Sequence, residues 1–244
     1  MIFIKRAIIA LAVSLATACS FTPYQQVDNR QAAIDPADKD SAPVAFQEGQ
    51  DGRGERNTNA EEDSATSEFV QSTNPYLLAR KSVAAAAVKR FDLAVEAMGR
   101  EDWLAAQEHL VWLTKEYPNY SGPHLNLALT YLQTDKPQEA EVSFRGAIVA
   151  NPKNVDAYNQ LAILLREQGR FDAAETQYRA ALAVWPDHPD SHRNLGILYD
   201  LYMGRLEDAL RHYHAYQRLH NAPDRAIAGW IVDIERRLNQ IAMQ

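Results

Sequence analysis

The strongest constraint in this sequence is a period of 34 residues in its second half. Pro118, Pro152 and Pro186 recur at that spacing, and Ala106, Ala140 and Ala174 each precede their proline by 12 residues. Leu93, Leu127, Leu161 and Leu195 fall in the same register, each followed by a small residue: Ala94, Ala128, Ala162 and Gly196. Tyr131, Leu165 and Tyr199 align after those leucines. In the second half of each unit Leu110, Phe144 and Tyr178 align, as do Leu113, Ala147 and Ala181. A period of this length builds a solenoid, in which a unit buries its apolar face against its neighbours because it cannot bury it alone. Each proline lacks an amide hydrogen and pushes its predecessor out of the helical region, so it ends the second helix of its unit.

The order large, Leu, small, aromatic, then Ala, aromatic, Ala, Pro resembles the tetratricopeptide repeat, with helix A carrying the first set and helix B the second. The resemblance implies an all-α, right-handed superhelical solenoid of about four helix pairs, with units 87–120, 121–154, 155–188 and 189–223 inside an array spanning 74–223. The last unit has one extra residue, since Gly204 and Ala209 sit one place later than Gly169 and Ala174 require. The first unit fits least well, with Arg90 and Ala97 in slots that usually hold bulky residues. Residues 224–244 form the expected capping helix, with Ile227, Trp230, Ile231, Ile234 and Leu238 at helical spacing and Asp233, Glu235, Arg236 and Arg237 facing away.

The start of the chain has a different character. Lys5 and Arg6 precede an apolar run from Ala7 to Ala18, too short to span a bilayer as a helix. This is the anatomy of a secretory signal, here residues 1–18. Leu15-Ala16-Thr17-Ala18-Cys19 resembles a bacterial lipobox, with Ala16 where leucine is commonest. That resemblance implies lipidation of Cys19, the only cysteine, and with Ser20 behind it a lipid anchor at the periplasmic face of the outer membrane. Residues 19–73 read as a disordered linker. Between Ser20 and Pro75 there are 11 acids and 4 bases, and isolated apolar residues such as Phe46 and Phe69 make no periodic face. As a flexible leash its root-mean-square span is roughly 40 Å. Order is expected from Asn74-Pro75, a cap followed by proline in a first helical turn.

In proteins of this family the helix A residues facing inward line a concave groove for a peptide or helix. Carried onto this chain, they are Phe91, Val95 and Met98, then Leu125, Leu129, Leu132 and Gln133. The later units supply Asn159, Ile163, Arg166 and Glu167, then Arg193, Ile197 and Asp200. The first half of this groove is apolar and the second half mixed, so the expected partner is an envelope protein or peptide with a hydrophobic anchor, registered by Arg166 and Arg193. Asn126 and Asn194 match asparagines that help related domains clamp a terminal carboxylate, but the accompanying lysines are absent and no such clamp is expected. The array is nearly neutral, which argues against nucleic acid as a partner. The chain has neither an HExxH nor a cysteine pair, and neither a phosphate loop nor a serine elbow, so no metal, cofactor or enzymatic activity is expected. His188 and His192 are four apart and His212 and His214 lie near in sequence, but a zinc site needs three or four converging ligands, and His192 occupies the bulky slot of helix A, where packing is expected. A homo-oligomer, formed through the groove or the end cap, is the other partner class that the pattern allows.

Overall fold

The computed structural model describes residues 71–78, 83–220 and 224–243. The signal segment, Cys19 and the linker up to residue 70 lie outside the described residues. After a short α1 (Pro75–Leu78), helices A and B alternate. They are α2 (Ala85–Gly99) and α3 (Trp103–Glu116), α4 (Ser121–Gln133) and α5 (Pro137–Ala150), α6 (Val155–Glu167) and α7 (Phe171–Val184). The fourth pair is α8 (Pro189–Ile197), prolonged through Leu198–Met203, and α9 (Leu206–Leu219); α10 (Arg225–Ala242) follows. Each helix packs chiefly on its chain neighbours, as a solenoid requires.

Local chemistry sets the helix ends. In the first three units helix B stops two residues before its proline, and the residue between donates its amide to a carbonyl of the last turn: Tyr117 to Leu113, Asn151 to Ala147, Trp185 to Ala181. Asp102 caps α3 and Asn154 caps α6 by accepting a backbone amide in the first turn, each at 3.1 Å. The turn from helix A to helix B needs one left-handed residue. Glycine supplies it at Gly169 and Gly204, whereas Glu101 and Asp135 adopt φ of 59° and 55° in the first two units.

The extra residue of the fourth unit is absorbed inside its helix A. Asp102, Lys136 and Arg170 close their turns onto carbonyls five residues back, at Ala97, Tyr131 and Leu165. Arg205 closes onto Tyr199, six residues back, and Leu198–Met203 runs as a π-helical turn. A wider turn swallows one inserted residue without shifting the helices on either side.

The core has two parts. Ala87, Phe91, Ala94, Leu110 and Leu113 make a small one in the first unit. A larger one runs from Ala128 and Phe144 through Leu161, Leu165, Tyr178, Leu195 and Tyr213 to Ile227 and Ile234 of α10. Tyr131 touches both. Arg90, in a slot that usually holds a bulky apolar residue, lays its guanidinium over the Trp112 ring at 5.0 Å, so a cation on an aromatic face fills the space. The small residue after each leucine permits close approach of helix B. A Cβ at Gly196 would lie 2.6 Å from Cε1 of Tyr213, a distance no side chain accommodates without movement. In α10, Ile227, Ile231 and Ile234 are buried, as the spacing requires, but Trp230 is the most open of the apolar set. Arg237 does not face away: it donates to Asp200 of the fourth unit at 2.8 Å.

Candidate partner-binding surface

Helix A of each unit carries the residues expected to meet a partner. Leu125, Leu129 and Leu132 on α4, Ile163 on α6 and Ile197 on α8 are half-buried, each resting on the larger core with part of its surface open. These five give each of three consecutive helices A, α4, α6 and α8, a half-open apolar position, the helix A row. Val95 and Met98 are likewise half-buried, on the smaller core. Gln133 and Glu167 are exposed beside this row.

Two of the expected residues are elsewhere. Phe91 is only 2 % exposed and belongs to the first-unit core, where it clusters with Leu110 and Leu113 of α3 and Leu127 of α4. Asn159 is 3 % exposed, and its side-chain carbonyl accepts from the Asn194 amide (3.2 Å) and the Ser191 hydroxyl (3.4 Å). It ties α6 to α8 rather than offering itself to a ligand. Asp200 is also committed, to Arg237 of the capping helix.

Arg166 and Arg193 differ from each other. Arg166 is half-buried with its guanidinium 5.9 Å from the centre of the Tyr202 ring, which itself packs on Phe171 at 5.1 Å. The inserted residue therefore has a consequence: the widened turn presents Tyr202, partly open, beside the arginine. Arg193 is half-buried and makes neither hydrogen bond nor ion pair among the described residues. Its charge and that of Arg166 both reach the buried phenol of Tyr213, whose pKa is pushed up chiefly by burial and by Asp200, with the arginines opposing. Burial raises Tyr178 in the same way. Tyr199 is pushed up to about 12 by burial and by donating to Glu175 at 2.7 Å. None of these phenols ionises near neutral pH, and the arginines sit on α6 and α8, the helices that also carry Ile163 and Ile197.

The histidines hold the array together. His192 Nε2 donates to the Pro186 carbonyl at 2.8 Å, and His124 makes the same bond to Pro118 at 3.0 Å one unit pair earlier. Both occupy the bulky slot of helix A and fasten it to the turn before it. With Nε2 of His192 donating, its Nδ1 accepts from Nδ1 of His212 at 2.9 Å. Burial holds His124, His192 and His212 below the usual range, His212 down to about 4. Among the described residues no group of three or more His, Cys, Asp or Glu converges as metal ligands would. The recurring histidine was visible in the sequence as His124, Tyr158 and His192 in one slot, but its carbonyl partner was not.

Two family models, both for tetratricopeptide repeats, match residues 91–155 and 155–220 and so tile more than half of the chain. The chain belongs to the tetratricopeptide repeat family. No curated protein matches it. A solved Pseudomonas aeruginosa structure, described as a functional characterization of pilF, is 21 % identical over 64 % of this chain and 70 % of its own, with a TM-score of 0.56. The Cut9–Hcn1 hetero-tetramer of APC/C is 15 % identical over 61 % of this chain and 29 % of its own, at 0.52. A MamA crystal structure is 21 % identical over 63 % of this chain and 88 % of its own, at 0.49. At such identities the first two of these structures speak for the fold alone. The tetratricopeptide repeat fold is that of a protein-protein interaction scaffold.

Proposed function

We propose that this protein is a lipid-anchored adaptor of the bacterial envelope, which captures a protein or peptide on the helix A face of its array. The observation that carries this reading is that Leu125, Leu129, Leu132, Ile163 and Ile197 are each half-open on three consecutive helices A, with Arg166 and Arg193 on the last two of them. Large apolar side chains left part-exposed on successive repeats are the kind of surface that serves an interaction. The partner has an apolar anchor for α4 and an acidic or polar continuation for the arginines. Lipid on Cys19 holds the array at the periplasmic face of the outer membrane, and the acidic leash gives it reach and raises the local concentration of whatever it captures. Pilus assembly, coordination of cell-wall enzymes and a TonB-type complex are the settings in which such an adaptor serves.

Two linked experiments test this. Palmitate labelling of cells should mark the native chain and leave Cys19→Ser unlabelled and released from membranes; equal labelling of both removes the anchor. Cross-linked recovery from membranes should yield one envelope protein with the native chain and lose it with Leu129→Glu, once circular dichroism shows both folded. Unchanged recovery removes the helix A face.

One observation favours a second reading, self-association. Leu93 is 40 % exposed, whereas Leu127, Leu161 and Leu195 in the same slot are 6 % exposed or less. The first unit thus offers a site that another copy could cover. Light scattering across a hundredfold concentration range distinguishes a dimer from a monomeric adaptor.

A further inference from the structure

We infer that the turn between α7 and α8 is a peptide-binding site for a serine-containing segment, filled in this structure by the chain's own Gln71–Ser72 just ahead of α1. The site is separate from the helix A row and does not depend on it. Ser72 lies 113 residues from Trp185, yet the Trp185 indole N–H donates to the Ser72 carbonyl at 3.0 Å and reaches its hydroxyl at 3.1 Å. The Asp187 carboxylate accepts from both the Ser72 amide (2.8 Å) and the Ser72 hydroxyl (2.6 Å). The Gln71 side chain donates to the Asp187 carbonyl at 3.0 Å. One residue of the segment is thus read through its amide, its carbonyl and its side chain. The main-chain bonds accept any peptide, and the hydroxyl selects serine.

The turn is shaped for this. Trp185 packs on His188 at 5.2 Å between ring centres, and His188 is held by Ser191 at 2.7 Å, so the indole is braced from behind. The bonds from Ser72 hold the Asp187 carboxyl below its usual range. Four residues on, Tyr76 is buried and gives the segment a second anchor. The equivalent positions of the other turns carry Tyr117 and Asn119, and Asn151 and Lys153, so the combination of indole and carboxylate is peculiar to the third unit.

The bonds at Ser72 and Gln71 are exposed, so water competes for them and the segment opens readily. What keeps it in place is proximity. Ala84 donates to the Tyr120 hydroxyl at 3.3 Å, which fixes the other end of a short connection and sets the effective concentration of the segment near the millimolar range. A partner carrying a serine takes the site by exceeding that.

The test is amide exchange and NMR of the full chain, following the Ser72 amide and the Trp185 indole proton. Protection of the Ser72 amide by about tenfold is expected, falling to that of open chain in Asp187→Ala while helix protection is unchanged. A free peptide of residues 71–76 should move the Trp185 indole signal at least about fivefold more tightly in the Ser72→Ala chain than in the native one. The same peptide with alanine for serine should fail, and Leu129→Glu should change nothing. Ser72 protection that survives Asp187→Ala, or a peptide that binds neither chain or both equally, overturns the assignment.

Discussion

The two ends of the array obey one repeat pattern and meet water differently. At the C-terminal end α10 covers the fourth unit, burying Ile227, Ile231 and Ile234 and pairing Arg237 with Asp200. At the N-terminal end Leu93 stands partly open beside Val83, Val88, Asp92 and Glu96, around a shallow hollow that no described helix fills. The same leucine slot is core in one unit and surface in another, because in a solenoid burial is supplied by the next unit and not by the residue itself.

Truncating each end measures this difference most directly. Ile234→Ala should cost about 3 kcal/mol in urea unfolding, since it empties a fully buried site, while Leu93→Ala should cost about 0.5 kcal/mol. Equal costs would mean that the first unit is covered in solution. Packing density gives the next contrast. Gly196→Ala, which drives a methyl into Tyr213, should cost about 2 kcal/mol, and the first unit already tolerates Ala94 in that slot. If Gly196→Ala is silent, the fourth unit is looser than its geometry.

Acid should separate the ends as well. His212 and His192 are held neutral by burial, with folded values below the ordinary 6.5. Between about 6.5 and 4 the unfolded chain binds protons that the folded chain refuses, so their contribution is complete above 6.5 and falls as pH drops toward 4. Exchange protection of α8 and α9 should fall by about 1–2 kcal/mol over that window, and a His212→Gln chain should lose most of the effect. The smallest contrast lies in the turns. Glu101→Gly and Asp135→Gly should each stabilise by about 0.5–1 kcal/mol, because glycine adopts their left-handed backbone freely, whereas Gly169→Ala should destabilise by a similar amount.

Much of the fold was legible because proline, alanine and leucine each mark one place in the unit. The prolines located the ends of α3, α5 and α7, and the spacing picked out Ile227, Ile231 and Ile234 as buried in α10, though not the open Trp230. The pattern also located the extra residue of the fourth unit, though only the structure shows that residue opening a π-helical turn and bringing Tyr202 to Arg166. The surface was less legible. Phe91 and Asn159 sit at family groove positions, but burial there depends on what each side chain meets: Phe91 packs with Leu110, Leu113 and Leu127, and Asn159 bonds to Asn194 and Ser191. The Trp185–Asp187 turn was hidden because its partner, Ser72, lies in a segment whose composition resembles a linker.

The central claim is that the helix A row is the working surface. Photo-cross-linking residues placed at Leu129, on the row, and at Val149, open on helix α5, test it in intact cells. The account predicts a specific protein adduct from position 129 and none from 149; the same adduct from 149, with 129 silent, would contradict it.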